Sequence, residues 1–236
     1  MNEITIITTY YNNKSHLENF IKRFIELRNL YSSFKFIVVD DGSMINPAID
    51  IFNQFTDHQN MSLYRVTKDL GFNSHGARNL GMTVSTTDWN LLTDSDIDLP
   101  VYNIENFLEE NLSEKDIYSF TMNSILIHKK TFFSCKGYDE EFVNFHYGDR
   151  FFLDYLEKNY NLIKLKTDID KLRRAWKVIM VDKNEYPITV YDTTIKSLYQ
   201  PRLKNVYGII DTIEKRNKTH SFKDKKILNF EWEQLI

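Results

Sequence analysis

Residues 34–43 read Phe-Lys-Phe-Ile-Val-Val-Asp-Asp-Gly-Ser, and this stretch decides the fold class. The nearly continuous apolar run suits a strand that is buried on both faces of a parallel sheet. The Asp, Gly and Ser residues that follow are typical of a turn. A second run, Trp89–Thr93, leads in the same way into Asp94, Asp96 and Asp98. Both predicted strand ends therefore carry carboxylates, at the edge where open α/β sheets bind their ligands.

The chain on either side of these runs alternates between strand and helix patterns. Further strands are predicted over Ile4–Thr9 and Met61–Val66. Apolar residues at helical spacing, together with a proline at a helix start, predict helices over Lys14–Leu30, from Pro47 to about Phe55, and over Ser74–Thr86. The order β-α-β-α-β-α-β predicts an open, mostly parallel sheet with helices on both faces.

The alternation weakens after Pro100. The predicted elements there are a helix over Tyr102–Glu110, strands over Ile117–Phe120 and Ser124–His128 that suit antiparallel edges, a helix over Asp149–Asn159, short strands near Lys177–Val181 and Ile188–Tyr191, and a helix near Val206–Arg216. No linker or repeat divides the chain. We therefore expect a core over residues 1–160 and, over 161–236, a small mixed C-terminal extension of the same domain.

Composition excludes several classes of protein. The 236 residues include 30 basic and 33 acidic ones, a net charge of −3, which is ordinary for a folded globular protein. The single cysteine, Cys135, excludes a disulfide framework and a cysteine-based zinc site. No stretch approaches the ~18 apolar residues of a membrane span. Strand residues begin at Ile4 without the features of a signal peptide, so we expect a reduced, cytoplasmic compartment.

Positive charge is concentrated near the C-terminus. Between Lys196 and Lys226 there are nine basic residues and three acidic ones. This stretch is either a solvated face or a contact for phosphate on a nucleotide, a lipid surface, or nucleic acid or another polyanion. A peripheral membrane contact is therefore one expectation for it.

The two acidic clusters have different explanations. Asp40 and Asp41 suit a turn with a helix cap as well as a ligand site. Asp94, Asp96 and Asp98 alternate at a buried strand end, where carboxylates repel each other unless a cation or hydrogen-bond donors compensate them. A hard divalent cation with oxygen ligands, or a nucleotide, accounts for that cluster.

Residues 69–81 join a strand to a helix and contain three glycines. The helix N-terminus suits an anion, and Arg78 suits a phosphate. The stretch is not a P-loop, because the Gly-Lys-Ser/Thr ending is missing. It is not a dinucleotide fingerprint either, since the first strand is followed by Tyr10-Tyr11-Asn12-Asn13 without a glycine.

Six sequence motifs, taken in their order along the chain, resemble those of the family 2 glycosyltransferases of the GT-A fold. The resemblance covers roughly residues 3–160. The motifs are Ile4–Asn12, Ile37–Ser43, Gly76–Gly81, Leu92–Asp96, Gly137–Phe142 and Tyr147–Asp149. The resemblance implies a Rossmann-like α/β fold and a nucleotide-activated sugar as donor. Since the glutamine, arginine and tryptophan signature of processive enzymes is absent, it implies addition of single sugars.

The resemblance also implies roles for individual residues. Nucleotide contacts would come from Thr8, Thr9, Tyr10, Asp40 or Asp41, Arg78 and Asp94. A Mn²⁺ or Mg²⁺ ion would be held by Asp96 and Asp94, with His220 as a further candidate ligand. Asp149 would be the general base, and His146, Tyr147 and Gly148 would contact the acceptor or the donor sugar. A single carboxylate base without a protein nucleophile would invert the anomeric carbon.

Two positions depart from the family pattern. The first strand has Thr8 or Thr9 where a proline is common, and Gly148 stands where a glutamate is expected. The second departure leaves Glu140, Glu141 and Asp154 as alternative bases. Asp149 also suits the first turn of a helix, a role that is compatible with catalysis.

The leading hypothesis is a metal-dependent, inverting transfer of a sugar from a nucleoside-diphosphate sugar to an acceptor hydroxyl. The expected donor is a UDP-sugar. The acceptor would be a glycan, a lipid-linked sugar, a protein or a small molecule. One alternative is a phage enzyme that acts on modified DNA bases, with nucleic acid as its partner. Another is an inactive nucleotide-binding scaffold. A sugar nucleotidyltransferase is disfavoured, because no glycine-rich loop follows the first strand.

Overall fold

A computed structural model describes residues 1–71, 73–97, 99, 103–121, 123–143, 148–165 and 227–236. The strands are β1 (Ile4–Tyr10), β2 (Phe34–Asp40), β3 (Met61–Val66), β4 (Trp89–Asp94), β5 (Asp116–Thr121), β6 (Ser124–His128), β7 (Asn161–Lys164) and β8 (Trp232–Gln234). The α-helices are α1 (Lys14–Leu30), α2 (Ala48–Phe52), α3 (Ser74–Val84), α4 (Lys129–Ser134) and α5 (Gly148–Asn159). Short 3₁₀ helices cover Ile104–Leu108 and Glu140–Phe142.

All eight strands form one mixed sheet in the order β7-β5-β6-β4-β1-β2-β3-β8. Strands β1 to β4 run parallel to one another, as the alternating pattern predicts. β6 and β8 are antiparallel to their neighbours β4 and β3. The register sets Tyr10 opposite Asp40, and Thr9 opposite Asp94, so the carboxyl ends of β1, β2 and β4 meet at one edge.

Hydrophobic cores lie on both faces of this sheet, which explains the continuous apolar runs. In β2, Phe36 and Val38 belong to the core that contains α1 and α2. Ile37 and Val39 belong to the opposite core, which contains residues of α3, α4 and α5. A parallel strand that is covered on both faces needs apolar residues at every position, not at alternate ones.

Several element boundaries differ from the predictions. α2 ends at Phe52, because the amides of Gln54 and Phe55 turn back to residues three positions earlier, in 3₁₀ fashion. α3 ends at Val84, since the hydroxyl of Ser85 bonds to Asn90 instead of supporting a further helical turn. The predicted helix after Pro100 is the 3₁₀ helix Ile104–Leu108.

Pattern reading also missed elements. It did not identify α4 or β7. β5 was expected to be an edge strand, but β7 pairs with it in parallel, so β5 lies inside the sheet. The elements predicted near 177–181, 188–191 and 206–216 lie outside the described residues. Within the described ranges, no helix has the length and hydropathy needed to cross a bilayer.

Candidate active site at the carboxyl edge of the sheet

Arg78 on α3 connects Asp94, in the acidic cluster at the end of β4, with Asp149, the predicted base. Its Nη2 atom donates to Oδ1 of Asp94, and its Nη1 atom donates to Oδ1 of Asp149. The guanidinium carbon also lies 5.5 Å from the centre of the Tyr138 ring. Burial lowers the pKa of Arg78, but the charges of Asp149 and Asp94 outweigh burial and raise it above its ordinary value. Arg78 is therefore a permanent, buried cation between two carboxylates.

Asp149 lies in the first turn of α5, where it was predicted to act as the base. Its Oδ2 atom lies 3.6 Å from Nε2 of His75, and its side chain is 12% exposed. Burial raises the pKa of this carboxyl, but the charge of Arg78 and the contact with His75 hold it at about 2. Asp149 is thus ionised at neutral pH, and its pairing with Arg78 weakens it as a base.

Asp94 is the last residue of β4, and Asp96 lies two residues beyond it. Oδ2 of Asp94 accepts a 3.0 Å hydrogen bond from Nδ2 of Asn123, a residue for which the sequence indicated no role. Asp96 is half-buried, and burial together with the charge of Asp94 raises its pKa to about 7. Two crowded carboxylates of this kind favour a cation between or beside them.

These residues fit a Mg²⁺ or Mn²⁺ ion bound in part by substrate. Such ions commonly take one or two carboxylates and complete their coordination with phosphate oxygens and water. Over the described ranges, no three His, Cys, Asp or Glu side chains are grouped as metal ligands. Asp98 and the candidate ligand His220 fall outside those ranges. Among the described residues, Asp96 and Asp94 are the carboxylates that could serve as ligands at this strand end.

Asp40, one of the predicted nucleotide contacts, caps the turn after β2 and the start of α2. Its Oδ1 accepts the Ser43 N–H at 2.7 Å, its Oδ2 accepts the Ala48 N–H at 2.9 Å, and the side chain is 0% exposed. Burial raises its pKa, while these bonds to Ala48 and Ser43 act in the opposite direction. Both oxygens thus bond to backbone amides, and the nucleotide contact of Asp40 or Asp41 stays a prediction.

Asp41 lies between β2 and α3. Its Oδ2 accepts the Asn73 N–H at 3.0 Å, immediately before α3 begins. Gly42 has φ +75°, and a Cβ there would lie 2.8 Å from the Asp69 Cα. The glycine therefore allows the loop after β2 to approach the loop after β3 closely, which forms one wall of the crevice.

The three predicted residues at the end of β1 differ in exposure. Thr8 is buried and donates to the Thr93 carbonyl at 3.1 Å. Tyr10 is also buried, and its hydroxyl donates to the Asn46 carbonyl at 2.7 Å. Thr9 is half-buried, so its side chain is the one of the three that is open to a ligand.

Tyr11 and Asp69 lie at the same crevice and were given no role from the sequence. The Tyr11 hydroxyl donates to Oδ2 of Asp69 at 2.8 Å and so links the loops after β1 and β3. The available signal was that Tyr11 lies within the first motif, Ile4–Asn12.

The alternative bases lie in other environments. Glu140 accepts hydrogen bonds from Asn79 and from the amides of Leu228 and Asn229. Glu141 is exposed, and Asp154 pairs with Arg150 at 2.8 Å along α5. Asp149, in contrast, pairs directly with Arg78, which also pairs with Asp94. His146 and Tyr147 fall outside the described residues.

Comparison with known proteins agrees with this geometry. The family model of glycosyl transferase family 2 matches residues 5–165. No curated protein sequence is detectably similar to the chain.

Solved structures share the fold at low sequence identity. The mannosyltransferase PcManGT from Pyrobaculum calidifontis, solved with GDP-Man and Mn²⁺, is 15% identical, with a TM-score of 0.56 over 70% of this chain and 55% of that one. TarS 1–349 from S. aureus, solved with UDP, is 14% identical, with a TM-score of 0.57 over 76% of this chain and 66% of that one. The chain therefore spans less than two thirds of the length of each.

The family match covers more than half of the chain. It includes Arg78, Asp94, Asp96 and Asp149. The sheet order, the acidic strand end and the fold of the solved relatives agree with it. This protein belongs to glycosyl transferase family 2.

Proposed function

We propose that the protein transfers a sugar from a nucleoside-diphosphate sugar to an acceptor hydroxyl. The donor we propose is a UDP-sugar, and the reaction inverts the anomeric carbon and uses a divalent cation. The observation that carries the proposal is the cluster in which Arg78 holds Asp149 and Asp94 together beside Asp96. This cluster combines a candidate base, a candidate metal site and a phosphate-binding cation at the ligand-binding edge of the sheet. PcManGT was solved with GDP-Man and Mn²⁺, and TarS 1–349 was solved with UDP. These ligands support the proposed donor class.

Each side chain has a role in this mechanism. Asp96 and Asp94 would hold Mn²⁺ or Mg²⁺, which as a Lewis acid stabilises charge on a leaving diphosphate. Asp149 would take the proton of the acceptor hydroxyl. The hydroxyl oxygen would at the same time attack the anomeric carbon from the face opposite the diphosphate. That single displacement inverts the configuration.

Arg78 links donor binding to the strength of the base. In the described state its pairing contributes to the pKa of about 2 at Asp149, far below the neutral range that suits a general base. A diphosphate near Arg78 would compete for the guanidinium and weaken its pairing with Asp149. The proton affinity of Asp149 would then rise when the donor is bound.

The acceptor class follows from less direct observations. We infer a glycan, a lipid-linked sugar, a protein or a small hydroxyl compound, in line with the breadth of the family. The basic stretch between Lys196 and Lys226 favours an acceptor or a surface that carries negative charge.

A second candidate function is nucleotide binding without transfer. It is favoured by the pairing of Asp149 with Arg78 and by Gly148 in place of the expected glutamate. The two functions differ in turnover but share the donor site, so binding and turnover are measured separately.

Thermal unfolding with UDP and GDP, each with and without Mn²⁺, tests the donor site. Ligand that binds only the folded protein at ~100 times its Kd stabilises it by about 2.7 kcal/mol. We expect a Mn²⁺-dependent rise in melting temperature with UDP that disappears in Asp96→Ala. The control is Asp154→Asn, whose side chain pairs with Arg150 along α5, and this variant should keep the rise.

Turnover then separates the two functions. Release of nucleoside diphosphate from UDP-GlcNAc, UDP-Gal, UDP-Glc or GDP-Man, lost in Asp149→Asn but retained in Asp154→Asn, is the result expected of a transferase. Mn²⁺-dependent binding without any release would support the binding function instead. Absence of any Mn²⁺-dependent shift would contradict both.

A further inference from the structure

His75 is a buried polar residue beside the predicted base, and the mechanism above does not use it. It lies in the first turn of α3 and is 0% exposed. Its ring packs against two aromatic rings, 5.8 Å from that of Tyr138 and 6.2 Å from that of Phe142. An imidazole held in this way has a defined position next to the reacting groups.

The position of the imidazole explains Gly148. A Cβ at residue 148 would lie 2.7 Å from both Cδ2 and Cε1 of His75, and closer still to Nε2. Real Cβ atoms do not approach other atoms so closely, and the His75 ring is buried and packs against Tyr138 and Phe142. The imidazole thus occupies the volume that a side chain at 148 would need.

The same ring faces Asp149 on the oxygen that Arg78 leaves open. Arg78 donates to Oδ1, whereas Nε2 of His75 lies 3.6 Å from Oδ2. His75 and Arg78 are three residues apart on α3, which places them on one face of the helix. The two oxygens of Asp149 therefore face two different side chains of a single rigid element.

We propose that His75 is a positioning residue that fixes the orientation of the Asp149 carboxylate, and that Gly148 provides the space for it. The inference rests on the proposed function, in which Asp149 is the base. A single contact at Oδ1 leaves the carboxylate free to rotate about its terminal torsion, and a contact at Oδ2 removes that freedom. The distance of 3.6 Å exceeds that of a hydrogen bond, but catalytic contacts are often long before substrate binds and shorten afterwards.

The first test compares two replacements of similar length. His75→Met removes the polar atom, while His75→Gln keeps a nitrogen donor near the position of Nε2. Because a displacement of about 1 Å can cost ~10²-fold in rate, we expect His75→Met to lower kcat by roughly 10- to 100-fold. The KM for the donor should stay within about twofold, and His75→Gln should recover most of kcat.

The second test separates positioning from space filling. Gly148→Ala should lower both the melting temperature and kcat, because its Cβ displaces the imidazole. The double variant Gly148→Ala/His75→Ala relieves this overlap. We expect the double variant to recover melting temperature while kcat stays low. Recovery of kcat together with stability would show that His75 only fills space and would overturn the proposal.

Donor turnover with water in place of the acceptor, read as nucleoside diphosphate release from the four donors above with Mn²⁺, supplies kcat. Mn²⁺-dependent UDP binding in each variant shows that the variant is folded. If the wild type turns over and His75→Met keeps its rate, only this inference fails. If the wild type releases no diphosphate from any donor, the proposed function fails and the inference fails with it.

Discussion

Arg78 is the residue on which the electrostatics of the site depend. It is 1% exposed and pairs with Asp94 and Asp149, which are 28% and 12% exposed at their side chains. Charges removed from water in this way are stable only while they compensate each other. Any change at Arg78 therefore acts on the fold as well as on the site.

Replacing Arg78 with Met should lower the free energy of unfolding by about 3–5 kcal/mol, because two carboxylates would lose their buried partner. Urea unfolding measures this change. Arg150→Met is the matched control, since the Arg150–Asp154 pair on α5 is exposed and should contribute at most about 1 kcal/mol. Equal losses in the two variants would contradict the buried ion cluster.

His16 on α1 gives stability a pH dependence. It is 5% exposed, and burial lowers its pKa to about 4 from an ordinary 6.5. Between these values the unfolded chain binds a proton that the folded chain does not, so the free energy of unfolding falls as the pH falls from 6.5 to 4. The full effect is roughly 3 kcal/mol.

Comparison of the wild type with His16→Leu isolates that effect. The raised pKa of Asp96 acts in the opposite direction, because the folded chain binds that proton first, and it is common to both proteins. The stability of the wild type relative to the variant should therefore decline steadily from pH 7 to pH 4, as followed by urea unfolding. A constant difference across this range would refute the assignment.

At the scale of elements, α3 organises the site because it lies very close to the sheet. A Cβ at Gly81 would overlap Cγ2 of Ile7 on β1. The absence of a side chain at residue 81 lets the helix approach the sheet. At the same time, the other end of the helix presents His75 and Arg78 to the carboxyl edge.

Gly81→Ala should destabilise the protein by about 1–3 kcal/mol through overpacking. The direction is informative, because alanine in an open helix would instead add roughly 1 kcal/mol. Combining it with Ile7→Ala, which removes the overlapping methyl, should cost less than the sum of the single changes. Simple additivity in chemical unfolding would mean that the two positions do not touch.

At the scale of the whole molecule, the last ten residues connect distant parts of the fold. The Leu228 and Asn229 amides donate to Glu140 at 2.7 and 3.1 Å. Phe230 packs over Gly76 at the start of α3, and β8 then pairs with β3. The C-terminal segment therefore covers the beginning of the helix that carries the site.

Glu140→Gln should loosen this segment while leaving the sheet intact. Hydrogen bonds to a charged acceptor contribute about 1.5–3 kcal/mol, which corresponds to roughly 10- to 100-fold faster exchange of the Leu228 and Asn229 amides. Hydrogen exchange read by NMR or mass spectrometry measures this change. Glu141→Gln, the exposed neighbour, should leave the exchange rates unchanged, and identical rates in both variants would exclude Glu140 as the anchor.

The sequence by itself determined the strands β1 to β4 and the helices α1 and α3, because each is encoded in the periodicity of neighbouring residues. It also indicated the carboxylate-bearing strand ends and the family, since Asp40-Asp41 and Asp94–Asp98 directly follow apolar runs. These are local signals, and a local pattern is sufficient to place them.

Only the tertiary structure decided which partner each polar group takes. It assigned Asp40 to backbone amides and left Asp41 at the crevice. It also brought Arg78 to Asp149, 71 positions away, and Leu228 to Glu140, 88 positions away. No periodicity in the chain records such pairs, because the sheet register and the close packing of α3 on β1 create them. The overlap between His75 and a side chain at Gly148 has the same origin, since two residues compete for one volume only after the chain has folded.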